Sequence, residues 1–124
     1  MLTSGVDLVK IARVERVLAR YGERFLNRVF TANEIRYCRG RLPELAARFA
    51  AKEAVSKALG VGMRIMASDG IHWQDVEVIG DRRGKPTVRL FGRAAEHAEA
   101  LGLNEWAVSL SHTREHAIAF VVAQ

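Results

Sequence analysis

The stretch from Pro43 to Gly60 constrains the fold most. Residues 45–59, LAARFAAKEAVSKAL, are almost all strong helix formers. Pro43 suits the first turn of a helix, and Glu44 is favourable near the positive end of the helix dipole. Gly60 is typical of the residue that ends a helix, so we predict a helix from Pro43 to Gly60. Four small residues on it would let another backbone segment approach closely: Ala50, Ala51, Ala54 and Ala58.

The chain before this helix is predicted to contain a strand and two further helical regions. An apolar run at residues 2–9 reads as a strand that ends near Asp7. From residue 9 to 29 apolar residues recur at helical spacing, and Gly22 is expected to break or kink that helix. Thr31-Ala-Asn-Glu34 has the form of a capping box, in which a hydroxyl and a carboxylate satisfy free N–H groups at a helix start. That helix is expected to stop around Gly40.

The chain after this helix is predicted to be mainly strands. Residues 61–70 read as a loop, and residues 71–79 and 86–91 alternate as the two strands of a hairpin. Residues 92–102 read as a helix, residues 105–110 and 116–123 as strands, and residues 111–115 as a turn. This order predicts an α+β fold with helices packed on a mainly antiparallel sheet. Because no repeat, low-complexity tract or linker interrupts residues 1–124, we predict a single domain.

The composition is that of an ordinary globular domain, with 49% hydrophobic and 27% charged residues. Its only cysteine, Cys38, excludes an internal disulfide framework and a thiolate metal cluster. No apolar run approaches the ~20 residues that a membrane span needs. Asp7 interrupts the N-terminal stretch where a signal peptide would be continuously apolar. We therefore predict a cytoplasmic protein that does not enter a membrane.

The positive charge is concentrated in one part of the chain. The formal net charge is +5, but residues 10–64 alone carry thirteen Lys and Arg against five Asp and Glu. A local positive field attracts anionic partners and speeds their encounter. From composition alone, that partner could be a nucleic acid, a nucleotide or an acidic protein.

None of the common catalytic motifs is present. The sequence contains no G-x-S-x-G, H-E-x-x-H or C-x-x-C motif. Residues 80–85 resemble a P-loop only superficially, because Pro86 stands where the motif needs Ser or Thr. With no activated nucleophile, the sequence leaves metal, phosphate and proton chemistry, or no chemistry at all.

Three charged residues are candidates for such chemistry. Glu53 and Lys57 are four residues apart on one helix face, either as a solvent-exposed ion pair or as an acid and a base in a crevice beside the alanines. Asp7 could be a turn former, a cap for the next helix or a metal ligand. Mg²⁺ typically takes one or two carboxylates, with phosphates and water completing its shell. Asp7 and Glu53 could supply that number.

Five short segments follow one another along nearly the whole chain. They are G-V-D-L at 5–8, F-T-x-x-E at 30–34, R-F-A-A-K-E-A-x-S-K-A-x-G at 48–60, G-K-P at 84–86 and S-L-S-H-T at 109–113. The longest is highly specific when G-V-D stands upstream of it. Together they resemble the holo-[acyl-carrier-protein] synthase family, the single-module type of 4′-phosphopantetheinyl transferase, from about residue 4 to residue 122.

The resemblance implies the 4′-phosphopantetheinyl transferase fold with one module per chain. It also implies transfer of 4′-phosphopantetheine from coenzyme A to a serine of apo acyl carrier protein. The products would be the holo carrier protein, which serves fatty acid biosynthesis, and adenosine 3′,5′-bisphosphate. Because the nucleophile would belong to the carrier protein, this chain would not need one of its own.

The same resemblance implies the roles of the site residues. Asp7 and Glu53 would bind Mg²⁺ at the coenzyme A pyrophosphate, and Lys57 would contact the reacting phosphates. Glu53 could accept the serine proton, directly or through a water. His112 would lie at the 3′-phosphate, and Lys85 and Pro86 beside the adenine. The residues implied to contact coenzyme A are Arg48, Ser56, Lys57, Gly60, Lys85, Pro86, Ser111, His112 and Thr113.

The resemblance also implies two kinds of protein partner. If the first helix continues past Gly22, one of its faces carries a stripe of arginines. Such a stripe is by default a solvated surface, but the resemblance implies that it contacts the acidic carrier protein. We expect Arg13 and Arg20 to matter most, followed by Arg24. Family members of this length are similar in being homotrimers with coenzyme A between protomers, so we expect a homotrimer. The members of the stripe are Arg13, Arg16, Arg20, Arg24 and Arg28.

Some features depart from the family pattern or fit other functions. Val61 replaces the usual Thr of a G-T-G loop, and Val9 stands where double-length relatives carry a third acid. A nucleic-acid-binding module would also explain the basic helix, and a non-catalytic subunit that binds a carrier protein is a third hypothesis. We expect no nucleic acid to bind. Three further residues are predicted to have packing roles only: Cys38, Trp73 and Trp106.

Overall fold

The computed structural model describes residues 1–61 and 70–124 of the chain. Most of the predicted loop at 61–70 therefore lies outside the described residues. The elements are, in chain order, β1 (Thr3–Lys10), α1 (Ile11–Tyr21), α2 (Glu23–Val29), α3 (Ala32–Cys38), α4 (Leu42–Leu59), a 3₁₀ turn (Trp73–Asp75), β2 (Val76–Gly80), β3 (Pro86–Leu90), α5 (Gly92–Ala100), β4 (Trp106–His112) and β5 (His116–Ala123).

The described strands form two antiparallel sheets, which confirms the α+β prediction. β5 lies in the centre of a three-stranded sheet in the order β1-β5-β4, and β2 pairs with β3 as a hairpin. The sequence predicts one mainly antiparallel sheet, whereas the described strands form two separate sheets. Because β1 near the start of the chain pairs with β5 near its end, the two ends of the chain lie side by side in one sheet.

Helix α4 is the central element of the fold, and it packs on the inner face of the three-stranded sheet. Its alanines are buried, as the predicted close packing requires. The closest approach is at Gly5 on β1, where an added Cβ would lie 1.9 Å from the carbonyl oxygen of Ala54. A glycine is therefore needed at this position, because any side chain would overlap the helix backbone. The close contact fixes Asp7, two residues along β1, against α4.

Several predicted element boundaries are different in the structure. The first strand was predicted to end near Asp7, but β1 continues through Lys10, so Asp7 lies within the strand and does not cap α1. Residues 71–75 were predicted as part of a strand, but Trp73–Asp75 form a 3₁₀ turn and β2 begins at Val76. The backbone N–H of His72 donates to the Asp75 carboxylate at 3.1 Å, which closes this turn. The predicted turn at 111–115 is shorter, because β4 continues through His112.

Three local predictions are confirmed. Gly22, with φ +57°, separates α1 from α2, so the arginine stripe spans two helices instead of one. The capping box of Thr31 and Glu34 is present at the start of α3. Cys38 and Trp73 are buried, as packing residues should be, whereas Trp106 is half-buried. Burial raises the pKa of the Cys38 thiol to about 11.

Candidate active site

Two charged side chains predicted to act together meet where β1 passes α4. The Lys57 ammonium donates to the Asp7 carboxylate at 3.1 Å and to the Val6 carbonyl oxygen at 3.0 Å. Lys57 thus bridges the two elements whose backbones are in contact at Gly5. The sequence allowed either a solvent-exposed ion pair of Lys57 with Glu53 or an acid and a base in a crevice. The ion pairs of the described residues do not include one between Lys57 and Glu53.

Glu53 lies one turn before Lys57 on α4 and interacts electrostatically with Asp7. Partial burial raises the pKa of the Glu53 carboxyl, and the negative charge of Asp7 raises it further. The positive charges of Lys57 and Arg13 oppose this shift. The Asp7 carboxylate is therefore near enough to Glu53 to influence its charge, and the charge of Glu53 is only partly compensated.

The donor set of this site suits a hard divalent cation. Asp7 and Glu53 provide carboxylate oxygens from two elements that are fixed against each other, and Mg²⁺ commonly binds to one or two carboxylates plus water and phosphate oxygens. Across residues 1–61 and 70–124, no group of three or more His, Cys, Asp or Glu side chains could form a metal cage on its own. A cation bound by these two carboxylates would keep coordination positions for the oxygens of a substrate.

A second group of predicted residues lines a small cavity of about 190 Å³. It includes Arg48 of α4, Pro86 of β3, and Ser111 and His112 of β4, all four of which were predicted to contact coenzyme A. Residues from three separate parts of the sequence thus meet at one place. The remaining lining residues are Tyr37, Glu44, Ala47, Gly84 and Leu110.

Other residues predicted to contact coenzyme A have clear local roles in the fold. The Ser56 side chain is buried and its hydroxyl donates to the Glu53 carbonyl oxygen at 2.6 Å, so it presents no surface to a ligand. Gly60 ends α4 with φ +77°. The Thr113 hydroxyl oxygen accepts the backbone N–H of His116 at 3.1 Å in the β4–β5 turn. Lys85 is exposed on the hairpin turn and does not line the cavity.

A larger groove of about 830 Å³ runs beside α1 and α2. Arg13 and Arg24 lie on its border, whereas Arg20 is not among its lining residues. The Arg20 guanidinium lies 5.5 Å from the centre of the Tyr21 ring instead. The groove floor is apolar and includes Phe49 and Trp73, whose rings stack with centroids 4.9 Å apart.

A buried ion pair between Lys52 of α4 and Glu34 of α3 was not predicted from the sequence. Lys52, 0% exposed, lies 2.7 Å from the Glu34 carboxylate and also donates to the carbonyl oxygens of Trp73 and Val76. The other Glu34 oxygen accepts the Val78 N–H at 2.8 Å. The helical spacing could have indicated its burial, because Lys52 precedes Val55 by three residues and Leu59 by seven and therefore lies on the apolar face of α4.

The sequence profile of the 4′-phosphopantetheinyl transferase superfamily matches residues 4–121. The chain belongs to this superfamily. The holo-[acyl-carrier-protein] synthases of Herpetosiphon aurantiacus and Dehalococcoides mccartyi are each 48% identical to it, over 98% and 100% of this chain and 98% and 99% of theirs. The crystal structure of the Helicobacter pylori holo-[acyl-carrier-protein] synthase in complex with coenzyme A has a TM-score of 0.85 and 31% identity, covering 98% of this chain and 99% of that chain.

Membership of the 4′-phosphopantetheinyl transferase superfamily confirms the resemblance found in the five sequence segments. The match covers all five of them, from G-V-D-L to S-L-S-H-T. Within the described residues, none of the helices has the length and apolar character needed to cross a membrane.

Proposed function

We propose that this protein transfers 4′-phosphopantetheine from coenzyme A to the acceptor serine of apo acyl carrier protein. The observation that carries the proposal is the Asp7–Lys57 ion pair where β1 crosses α4, with Glu53 one helical turn before Lys57 and influenced by the Asp7 charge. Two carboxylates and an ammonium, in a sequence without the common nucleophile motifs, suit a reaction in which the partner protein provides the attacking hydroxyl. The names of the relatives and the coenzyme A complex of the H. pylori enzyme support the same reaction.

Asp7 and Glu53 would hold a Mg²⁺ ion against the pyrophosphate of coenzyme A. Bound there, the ion would neutralise charge that develops on the pyrophosphate oxygens. Lys57 would exchange its contact with Asp7 for one with a phosphate oxygen and stabilise the leaving group. Glu53 would accept the serine proton, directly or through a water.

The reaction balances with these groups alone. The serine oxygen of the carrier protein forms a bond to the phosphorus that bears the pantetheine arm. The bond from that phosphorus to the bridging pyrophosphate oxygen breaks, and adenosine 3′,5′-bisphosphate leaves. The chain's own residues orient the two substrates and neutralise charge, which is what phosphoryl transfer mainly requires of a protein.

The cavity around Arg48 and His112 would bind the nucleotide end of coenzyme A. Arg48 and His112 are suited to the 3′-phosphate, and Pro86 to the adenine. In a homotrimer this cavity and the acids of a neighbouring protomer could bind the two ends of one coenzyme A molecule. Lys85 and Thr113 remain predicted contacts at the edge of the same region, and Gly60 at the end of α4.

The groove beside α1 and α2 would receive the acidic carrier protein. Its apolar floor and arginine border suit a helix with both acidic and apolar side chains. Arg13 and Arg24 are better placed than Arg20 for this role, because only the first two border the groove.

An exposed apolar patch supports self-association, for which the family resemblance implies three protomers. Val6 and Leu8 on β1 pair with Phe120 and Ile118 on β5, and all four side chains point away from α4. Leu8 is 60% and Phe120 is 46% exposed in the protomer. Contiguous exposed apolar side chains of this kind mark interaction surfaces. We further place the homotrimer in the cytoplasm, with residues 1–124 as one domain.

The mass gain of an apo acyl carrier protein tests the proposal. Incubated with the protein, coenzyme A and Mg²⁺, the carrier should gain one phosphopantetheine group. The Glu53→Gln variant should give no gain, and the exposed Glu99→Gln variant should act like the parent protein. No mass gain from the parent protein, together with salt-sensitive binding of an oligonucleotide, would favour a nucleic-acid-binding module.

A further inference from the structure

We propose that Glu44 is a resident counter-ion of Arg48 which competes with the 3′-phosphate of coenzyme A. It would thereby set how strongly the protein prefers coenzyme A over 3′-dephospho-coenzyme A. The inference rests on the proposed function, because it concerns the nucleotide end of the same substrate.

The Arg48 guanidinium is fixed by the protein backbone. Arg48 is 2% exposed, and its Nε donates to the Val78 carbonyl oxygen at 3.0 Å. Its Nη1 donates to the backbone carbonyl oxygen of Glu44 at 3.3 Å. The guanidinium also lies 4.4 Å from the centre of the Tyr37 ring. These contacts orient Arg48 without the help of any carboxylate.

The Glu44 carboxylate adds a negative charge to this arrangement. Its Oε2 accepts a hydrogen bond from Arg48 Nη1 at 2.9 Å, and its side chain is 29% exposed. A buried guanidinium needs a counter-ion, so Glu44 compensates Arg48 while the cavity contains no anion. Since the backbone already orients Arg48, the specific contribution of the carboxylate is its charge.

That charge faces the cavity in which an anion would bind. Glu44, Arg48, Ser111 and His112 line the same space of about 190 Å³. A phosphate that approaches Arg48 and His112 meets the Glu44 carboxylate at short range, where like charges repel most strongly. Glu44 therefore weakens binding of a terminal phosphate selectively and leaves contacts to the rest of the substrate unaffected.

The test compares two donor substrates in the carrier-protein assay. For the parent protein and the Glu44→Gln variant, kcat/KM is measured with coenzyme A and with 3′-dephospho-coenzyme A. Glutamine keeps an oxygen that can accept from Arg48 Nη1 but removes the charge. We expect the ratio of kcat/KM values, coenzyme A over its dephospho form, to rise about fivefold, mostly through a lower KM for coenzyme A. Glu99→Gln, with the same change in net charge on the exposed side of α5, should leave the ratio unchanged.

A binding measurement covers the case in which the variant turns over poorly. The increase in melting temperature caused by adenosine 3′,5′-bisphosphate, relative to that caused by adenosine 5′-monophosphate, should be larger for Glu44→Gln than for the parent protein. An unchanged or lower kcat/KM ratio and an unchanged difference in melting temperature would overturn the role of Glu44 alone. A parent protein that transfers from neither donor would overturn the proposed function, and this inference with it.

Discussion

Lys57 on α4 pairs with Asp7 on β1, at 3.1 Å, and so joins the two elements that contribute the candidate metal ligands. The Asp7 charge is thereby compensated in the free protein. Glu53 receives no such partner among the ion pairs of the described residues, although it is partly buried and faces the Asp7 charge. The charge of Glu53 is therefore expected to destabilise the free protein.

Replacement of Glu53 by Gln should stabilise the metal-free protein and abolish transfer. Burial and the Asp7 charge both disfavour the Glu53 carboxylate, and Gln removes that charge with little change in shape. We expect the melting temperature without Mg²⁺ to rise by about 3 °C at neutral pH, as thermal unfolding would show. A lower melting temperature would contradict this explanation.

The stabilisation should also depend on pH in a defined direction. The folded-state pKa of Glu53 is raised above 4.5, so the protonated carboxyl is favoured in the folded protein. The parent protein should therefore be less stable than Glu53→Gln by the full amount at pH values above the raised folded-state pKa. This difference in stability should vanish below pH 4.5, the unfolded-state pKa. The melting temperatures of the parent protein and Glu53→Gln should therefore converge as the pH is lowered.

Replacement of Gly5 by Ala should disrupt the contact between β1 and α4. The added Cβ would lie 1.9 Å from the Ala54 carbonyl oxygen, and both groups belong to backbone that is paired in the core. We expect a loss of about 3 kcal/mol in the free energy of unfolding, measured by urea denaturation. Ser4→Ala, at the neighbouring exposed position of β1, is the matched control and should change stability little. Equal stability of Gly5→Ala and the control would exclude a close contact.

Features that depend on neighbouring residues in sequence could be predicted well. The extent of α4, the break at Gly22 and the capping box of Thr31 and Glu34 follow from local preferences, and the structure has all three. Asp7 and Glu53 were considered as joint ligands of a cation from their residue types, and the family resemblance implied the same pair. No local signal relates two residues so far apart in sequence.

Features that depend on which buried groups meet could not be predicted in this way. The capping box predicted only a local role for Glu34. In the structure the Glu34 carboxylate also forms an ion pair with Lys52 of α4 and accepts a hydrogen bond from the N–H of Val78. The carbonyl oxygens of Trp73 and Val76 bind Lys52, which helps to explain why residues 73–75 turn instead of continuing as a strand. An alternating apolar pattern contains no information about such a partner.

Replacement of Lys52 by Met should destabilise the protein strongly, because it leaves the Glu34 charge buried without a partner. Lys52 and Glu34 are both 0% exposed and lie 2.7 Å apart. Breaking a buried pair on one side typically costs about 3–5 kcal/mol. Lys52→Met combined with Glu34→Gln should recover part of this loss in denaturant unfolding. A double variant that loses the sum of both single effects would show that the pair is not coupled.

Replacement of Arg13 by Glu should weaken the interaction with the carrier protein selectively. Arg13 borders the groove beside α1 and α2 and would face an acidic partner. We expect the KM for apo carrier protein to rise about tenfold at low salt, and the KM for coenzyme A to stay nearly constant. Arg20→Glu, outside the groove lining, should have a smaller effect. Equal changes in both KM values for Arg13→Glu would contradict a docking role.

Replacement of Phe120 by Asp should dissociate the proposed homotrimer. Phe120 pairs with Val6 across the outer face of the β1–β5 ladder, so a charge there would interrupt the exposed apolar patch. We expect light scattering during gel filtration to give the mass of one chain for Phe120→Asp and of three chains for the parent protein. If the nucleotide end and the metal end of coenzyme A bind to different protomers, the monomeric variant should lose transfer activity and retain its fold by circular dichroism. An active monomeric variant would show that one protomer binds both ends of the substrate. A monomeric and active parent protein would contradict the homotrimer.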